Sequence, residues 1–476
     1  MRFFRPSQKI AKPMHSTSDG KNGHHGGEPV RLDVLTADCP PATAAAQRDG
    51  DIQAGRKSTL ISALRPDFWR NVATVLAGAT GAQALPLLVA PLLTRMCTPA
   101  DMGAFSIWLS VITVAAIAAT LRIDIAMVLD HEEHEQRLCF GVVAYSATLL
   151  ALAITLIAVA LRALDLSVLR SISWFGLLTI GVGTWLTAYT QTTLAYATSH
   201  NEFGKAAKAK MLGAGTIALS QLALLATGLG ATALPGGQLI GLAAGLWAAR
   251  MLLSPPSARV RFRLDTEQRN YLMKHKAFWR FSLPSSLLNA LVGQLPLFMI
   301  GFKHGALAAG LFALTQRVVA APISLLAASV LEVFKRQSVH DFQAVGNCKE
   351  AYRATFKALA LLGLGPSLIL LLFSPQLFSA IFGEAWRPAG ELARILAPLC
   401  FLNFIASPLS YVFFVAGKQK KELLWQVALF VMTIIVFMAP ASLHQSVHWY
   451  VIGYSLLYLV YLHMSYQCAQ NRPAVA

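Results

Sequence analysis

The chain is a succession of long apolar runs separated by short polar connections. Twelve runs follow residue 70, and each is close in length to the roughly 20 helical residues that cross the hydrocarbon layer of a membrane. They are Asn71–Leu93, Gly103–Leu129, Leu138–Leu161, Ile172–Ala197, Met211–Leu229, Gly237–Leu253, Phe281–Phe302, Ala306–Leu331, Thr355–Phe373, Gly390–Val415, Leu423–Pro440 and Val447–Cys468. This pattern predicts an all-α polytopic membrane protein with about twelve transmembrane helices.

Composition and charge agree with that prediction. Of 476 residues, 55% are hydrophobic and 13% are charged, and the mean hydropathy is +0.53, so a single soluble core is excluded. If the N-terminus is cytoplasmic, the inner segments after the first span hold twenty Lys and Arg residues and the outer segments five. The positive-inside rule then predicts that both termini are cytoplasmic. The net charge of +17 is therefore topological, and no nucleic-acid partner is expected.

The two halves of the chain share short sequences in the same order. These are Phe-Trp-Arg at 68–70 and 278–280, Leu-Pro-Leu at 85–87 and 295–297, and Gly-x-Phe at 103–105 and 310–312. Such internal repeats are typical of transporters with two pseudo-symmetric lobes around a central site. The predicted organisation is a disordered cytoplasmic tail (1–66), a first lobe with helices 1 to 6 (67–253), a basic cytoplasmic linker (254–277), a second lobe with helices 7 to 12 (278–470) and a short cytoplasmic tail (471–476).

Polar side chains within the spans indicate a hydrated interior. Asn289, Gln294, Gln316 and Arg317 lie in the first two spans of the second half. The three amides are candidates for substrate binding, and interhelical hydrogen bonds are an equal alternative for them. Arg317 is eleven residues into its helix, or roughly 16 Å at 1.5 Å per residue, which is close to the membrane midplane. An arginine at that depth costs several kcal/mol if it meets lipid, so it is expected to face the protein interior. It is the first candidate to attract an anion; the alternative is a structural arginine bonded to backbone carbonyls.

A second charged group lies near the cytoplasmic end of the second span. Arg122 is a further candidate for substrate binding, with a snorkelling arginine as the alternative. Asp124 is two residues on and so is expected on a different face of the helix. Asp124, Glu332 and Glu391 are the acids near span ends that could carry a coupling proton or cation, and for each the alternative is a solvated or salt-bridged surface residue.

Three blocks resemble the polysaccharide-transporter family, the Wzx-type flippases of the MOP superfamily. They are TRMCTPADMGAFSIWLSVITVAAIAATLRIDIAMVL (Thr94–Leu129), FSLPSSLLNALVGQLPLFMI with GLFALTQRVVAAPISLL, and FGEAWRPAGELARILAPLCFLNFIASPLSYVFFVAGKQKKELLWQV (Phe382–Val427). The resemblance covers about residues 66 to 470. One departure is the aspartate in Leu121-Arg122-Ile123-Asp124, where the family more often has glutamate.

The resemblance implies a bacterial inner-membrane protein whose two lobes open alternately around a central cavity. Its cargo would be an undecaprenyl-diphosphate-linked oligosaccharide, moved from the inner to the outer leaflet for exopolysaccharide, capsule or lipopolysaccharide O-antigen assembly. Proton or sodium coupling is common in the superfamily. A monomer is expected in the lipid bilayer, with a polysaccharide polymerase and export proteins as further partners.

Three other functions compete with this one. A multidrug or cation antiporter of the same superfamily should carry buried carboxylates at mid-helix. A lipid II flippase is less compatible with the twelve-span count and the family blocks. A membrane scaffold or sugar-unit polymerase should carry a large outer loop, whereas the predicted outer loops are short. The sequence contains no phosphate-binding loop and no metal-ligand spacing, so no enzymatic activity, cofactor or metal is expected.

Overall fold

The computed structural model describes residue 81 and residues 84–130, 132–164, 172–256 and 263–470. The two predicted tails, 1–66 and 471–476, lie outside the described residues. Every regular element in the described part is helical. The helices are α1 Ala84–Met96, α2 Pro99–Ala119, α3 Ile123–Ala126, α4 Glu133–Ala163, α5 Trp174–Ser199, α6 Phe203–Ala226, α7 Ala233–Leu253, α8 Thr266–Lys274, α9 Leu283–Val345, α10 Lys349–Phe382, α11 Arg387–Leu409, α12 Val412–Val415, α13 Gln419–Met438 and α14 Leu443–Gln470.

The helices match the predicted spans, so the chain is an all-α, multi-pass membrane protein. In the described residues, eight helical stretches are long and apolar enough to cross a membrane, and every one of the twelve predicted spans overlaps a described helix. Helix α9 contains two predicted spans, Phe281–Phe302 and Ala306–Leu331. Gly305, which has a φ of 83°, interrupts the helix between them. Glycine adopts this backbone conformation without steric cost. We call residues 283–304 and 306–345 the first and second arms of α9.

Helix α5 occupies the fourth predicted span although it is rich in threonine. Its hydroxyl groups donate to the carbonyl four residues earlier, as Thr184 does to Ile180 at 2.9 Å and Thr193 does to Tyr189 at 2.8 Å. Each hydroxyl therefore has a partner within its own helix, and no donor has to face lipid. This explains how an apolar run tolerates so many polar side chains.

The second predicted span, Gly103–Leu129, is wrong as a single helix. Helix α2 ends at Ala119, and Leu121 and Arg122 both have positive φ values, 50° and 57°. This backbone conformation costs free energy for residues other than glycine. Two hydrogen bonds with side-chain hydroxyls stabilise it here. Ser146 of α4 donates to the Ala119 carbonyl at 2.6 Å, and the Arg122 amide donates to the Thr120 hydroxyl at 3.3 Å. No glycine or proline marks the break in the sequence.

The two halves meet where two repeated glycines face one another. We call helices α1–α7 the first lobe and helices α9–α14 the second lobe. A Cβ placed on Gly103 of α2 would lie 1.8 Å from the carbonyl oxygen of Ala306, and a Cβ on Gly310 of α9 would lie 1.8 Å from that of Pro99. Ala306 is four positions before Gly310, and Pro99 is four positions before Gly103. Each helix therefore packs its glycine against the same part of the other helix, and the contact is reciprocal. These glycines are the ones that the Gly-x-Phe repeat pairs.

Further contacts between the lobes lie at the same end of the molecule. The buried Trp386 indole donates to the carbonyl of Thr94 at 2.9 Å, and Arg95 donates to the carbonyl of Ala380 at 3.3 Å. Thr94 and Arg95 end α1, and Ala380 and Trp386 flank the connection from α10 to α11. The lobes are therefore held together at the end that the charge pattern predicts to be outer.

The connection between the lobes is anchored to the first lobe by helix α8. The buried hydroxyl of Tyr271 donates to the carboxylate of Asp130 at 2.6 Å, and Lys274 pairs with Glu135 of α4. Burial raises the pKa of the Tyr271 hydroxyl well above its ordinary value, so it remains a donor. A Cβ on Gly141 of α4 would lie 2.3 Å from the Gln268 amide, so α8 fills a notch at this glycine. A π-helical turn, Phe278–Ser282, then leads into α9.

Candidate functional site

A cavity of about 860 Å³ lies between the first lobe and helix α9. Its wall is formed by α1, α2, α5, α6, α7 and both arms of α9, and most of the lining side chains are small or apolar. The volume falls within the ~300–1,000 Å³ typical of small-molecule sites. The polar residues of the wall are Ser106, Ser110, Thr113, Thr190, Lys210, Gln221, Gln238, Gln294, Gln316 and Arg317.

Arg317 lies on the second arm of α9 and lines this cavity. Within the described residues, its guanidinium forms neither an ion pair nor a hydrogen bond. The alternative of a structural arginine requires backbone carbonyl partners, and the described residues supply none. Among the described residues, no aspartate or glutamate lines the cavity, so this part of the wall does not neutralise the positive charge. An unpaired charge in a partly dehydrated site favours binding of an anion.

The two predicted glutamines, Gln294 and Gln316, line the same cavity, and the predicted asparagine, Asn289, does not. Gln294 lies on the first arm of α9, where its side-chain oxygen accepts from Ser110 of α2 at 2.7 Å. Gln316 lines the cavity with its amide unbonded among the described residues. Asn289 is exposed on the first arm of α9, outside the cavity wall. The structure thus brings Arg317, Gln316 and Gln294 together and leaves Asn289 apart.

Sequence reasoning missed the polar residues that the first lobe contributes to the wall, among them one lysine and two glutamines. Lys210 lies in the basic start of α6, where it had been counted only as a topological charge. Gln221 of α6 donates to the carbonyl of Leu234 at 3.2 Å, and Gln238 of α7 has no hydrogen-bond partner in the described residues. Both glutamines are isolated amides in apolar runs. This is the same signal that singled out Gln294, and it could have found them.

Arg122 and Asp124 lie at the break between α2 and α3, and neither lines the cavity. The expectation that they face different directions is wrong, because Arg122 Nη1 lies 3.9 Å from Asp124 Oδ2. The left-handed residues turn the chain back on itself, so spacing in a regular helix no longer applies. Arg122 Nε and Asp124 Oδ1 are buried without a hydrogen-bond partner. The pair is therefore strained and incompletely satisfied, and it is separate from Arg317.

The other two predicted coupling acids are in surface ion pairs. Glu332 accepts from Lys335 at 2.8 Å, and Glu391 lies 3.5 Å from His444, with the two side chains 47% and 53% exposed. Exposed pairs of this kind contribute about 0–1 kcal/mol. Neither acid lines the cavity, and their coupling roles remain predictions.

The chain matches known proteins in sequence over much of its length. Residues 92–391 match the model of a family described as polysaccharide biosynthesis protein. A 149-residue segment is 26% identical to the teichuronic acid biosynthesis protein TuaB of Bacillus subtilis (strain 168). That match covers 31% of this chain and 31% of TuaB, so it spans about a third of the relative.

Solved structures show a similar fold at low sequence identity. The lipid II flippase MurJ in an inward closed conformation gives a TM-score of 0.65 with 12% identity, over 83% of this chain and 87% of MurJ. An inward-facing multidrug resistance MATE family transporter gives 0.57 with 15% identity, over 85% and 96% of the two chains. A MOP superfamily transporter from Pyrococcus furiosus, described as having a binding pocket of reverse polarity, gives 0.55 with 16% identity, over 82% and 93%.

Sequence and fold agree on one classification. The family match covers well over half of the chain and includes α2 to α10, whereas the structural neighbours, all below 25% identity, establish the fold. The resemblance to polysaccharide transporters that the sequence blocks indicated is therefore confirmed. The chain belongs to the polysaccharide biosynthesis protein family and has the fold of the MOP superfamily transporters.

Proposed function

We propose that the protein is a flippase of the bacterial inner membrane that moves undecaprenyl-diphosphate-linked oligosaccharides from the inner to the outer leaflet. The units would be used for exopolysaccharide, capsule or O-antigen assembly, with a polymerase taking them up on the outer side. The observation that carries the proposal is Arg317, which has no ion pair or hydrogen bond among the residues that the structure describes, in a cavity to whose wall those residues contribute no acidic side chain.

The charge of the cavity favours an anionic cargo over a cationic drug. A desolvated arginine without a counter-ion is costly, and a phosphate group that binds it removes this cost. A cationic substrate would meet repulsion from Arg317, and the described part of the wall offers it no carboxylate. A cation antiporter would need the opposite arrangement, so the antiporter alternative has less support.

The size and polarity of the cavity suit a sugar headgroup. Glutamine amides and Ser and Thr hydroxyls donate and accept hydrogen bonds, which a hydroxyl-rich oligosaccharide requires in a layer that supplies none. A volume of about 860 Å³ is sufficient for a diphosphate with a short oligosaccharide. The polyprenyl tail would remain in the bilayer, where its transfer costs nothing.

The charge pattern supports an assignment of the described conformation. With both termini cytoplasmic, the closed contacts at Gly103, Gly310 and Trp386 lie on the outer side, and the cavity belongs to an inward-facing state. The return step would use a proton or sodium gradient. Of the three candidate acids, Asp124 is the only one with a buried carboxylate oxygen that lacks a hydrogen-bond partner within the described residues, so we assign the coupling role to Asp124.

The test is the sign of the charge at position 317. Arg317→Glu and Arg317→Ala are expected to abolish surface polysaccharide, and Arg317→Lys to retain part of it, because lysine keeps the charge without the bidentate geometry. Arg336→Glu is the matched control, since Arg336 is an exposed arginine on the same helix outside the cavity.

Polymer would be measured beside the amount of protein in the membrane. Normal polymer in the Arg317→Glu strain, at wild-type protein level, would remove this residue from the transport path and with it the proposed cargo. A loss in the Arg336→Glu strain equal to that in Arg317→Glu would show that charge reversal on α9 acts generally.

A further inference from the structure

We infer that Lys210 is a second anion ligand, supplied by the first lobe, so that a diphosphate headgroup binds both lobes at once. This inference rests on the proposed function, and it adds a residue whose role is to couple binding to lobe movement. It starts from the distribution of polar groups in the cavity wall rather than from the presence of Arg317 alone.

Both lobes contribute a cation and two glutamines to the cavity. These are Lys210, Gln221 and Gln238 from the first lobe and Arg317, Gln316 and Gln294 from the second, and the first lobe adds the hydroxyls of Ser106, Ser110, Thr113 and Thr190. Lys210, like Arg317, has no ion pair or hydrogen bond within the described residues. The two cations line one cavity, one from each lobe, and each is available to a ligand.

The spacing along α6 separates Lys210 from the other lysines at the start of this helix. Residues 210, 213, 214, 217 and 221 all line the cavity, and this i, i+3, i+4, i+7, i+11 series is one face of a helix. Lys208 and Lys210 are both exposed, but Lys208 does not line the cavity, and Lys205 pairs with Glu202 at 2.6 Å. Lys210 therefore begins a cavity-lining face of small and apolar residues that ends about 16 Å further along, at Gln221.

A ligand shifts the populations of two lobe arrangements only if it binds one of them more tightly. Contact with both lobes is a direct source of such a difference, because the number of contacts then depends on how far apart the lobes lie. An anion that binds Lys210 as well as Arg317 gains contacts when the lobes approach, so its binding favours the closed state. A diphosphate has two phosphate groups, one for the planar fork of an arginine and one for the point charge of a lysine.

Binding measurements on the purified full chain test the role of Lys210. The probes are farnesyl diphosphate, pyrophosphate and inorganic phosphate. The variants are Lys210→Gln, Lys210→Arg and Arg317→Ala. Lys208→Gln is the control, because Lys208 lies on the same helix but does not line the cavity. Lys210→Gln is expected to weaken farnesyl diphosphate binding about tenfold. Lys210→Arg should restore most of the affinity, and Lys208→Gln should leave it unchanged.

A distance measurement separates a bridging role from a general effect of charge. Spin labels would be placed by cysteine substitution at the exposed residues Met251, at the end of α7, and Val345, at the end of α9, with the native cysteines replaced. Farnesyl diphosphate is expected to shorten the distance between the labels in the wild-type background. In Lys210→Gln the shortening should be lost even at probe concentrations that saturate the site.

The outcomes distinguish this inference from the proposed function. Wild-type affinity and wild-type shortening in Lys210→Gln, with binding lost in Arg317→Ala, would overturn the inference and leave the proposed cargo intact. Failure of the wild-type protein to bind any diphosphate would overturn both. Inorganic phosphate that binds as tightly as farnesyl diphosphate would identify a free phosphate ligand and would overturn the assignment to a lipid headgroup.

Discussion

Alanine in place of Gly103 or Gly310 is expected to open the end of the molecule where the lobes meet. The new methyl group would lie 1.8 Å from a backbone carbonyl oxygen of the opposite helix, whereas real contacts of this kind are not shorter than 3.0 Å. Because the obstructing atom belongs to the backbone, no side-chain rotation can relieve the overlap. Helices α2 and α9 must move apart by about 1.2 Å, the difference between these two distances.

The size of the effect follows from the cost of overpacking. Forcing an extra methyl group into a well-packed contact costs about 1–3 kcal/mol. This cost applies only to the state in which the two glycines touch, so the equilibrium shifts towards the state open at this end by about 5- to 150-fold. The double substitution is expected to cost less than the two single costs together, because one separation of the helices relieves both overlaps.

Labelling of a cysteine in the cavity would measure this shift. Ser106→Cys lies on the cavity wall of α2, close to the contact, and a membrane-impermeant maleimide added to whole cells would reach it only from the outer side. Labelling, normalised to the amount of protein, should rise in Gly103→Ala and in Gly310→Ala. Gly293→Ala is the matched control, because a Cβ at this glycine of α9 meets no atom within 4 Å.

Two results would refute this reasoning. If Gly103→Ala and Gly310→Ala, at normal protein level, are labelled no more than the protein with both glycines, the glycine contact does not control access to the cavity. Equal labelling of the wild type and both variants at saturation from outside would mean that this end is already open, contrary to the predicted orientation.

Two further predictions concern the anchored connection and the coupling acid. Tyr271→Phe should lower the free energy of unfolding by about 1–3 kcal/mol, because it removes the hydroxyl that donates to the buried Asp130 carboxylate. Tyr145→Phe is the control and should have little effect, because the Tyr145 hydroxyl has no hydrogen-bond partner in the described residues. Equal melting temperatures of the two variants would contradict this prediction. Asp124→Asn should retain farnesyl diphosphate binding but lose acceleration of flipping by an ion gradient in proteoliposomes, with Glu391→Gln as the control. Gradient-driven flipping at the wild-type rate in Asp124→Asn would exclude Asp124 as the coupling residue.

Several features of this protein were determined by the sequence alone. A membrane supplies no partners for backbone groups, so a run of about 20 apolar residues has to form a helix. For this reason all twelve predicted spans overlap described helices. The cost of a charge in lipid likewise predicted that Arg317 faces the interior, and Arg317 lines the cavity. The repeated Gly-x-Phe motif indicated two related halves before any contact between them was known.

Other features were decided only by tertiary packing. The end of α2 at Ala119 depends on Ser146 of another helix, so local residues gave no sign of it. Lys210 belongs to the cavity and Asn289 does not, although Asn289 lies within a predicted span and Lys210 only precedes one. Hydropathy predicts that a segment crosses the membrane. Which side of the helix faces the cavity is set by the neighbouring helices. Those contacts join residues far apart in the chain, as Gly103 and Gly310 do, and a pattern read along the chain contains no information about them.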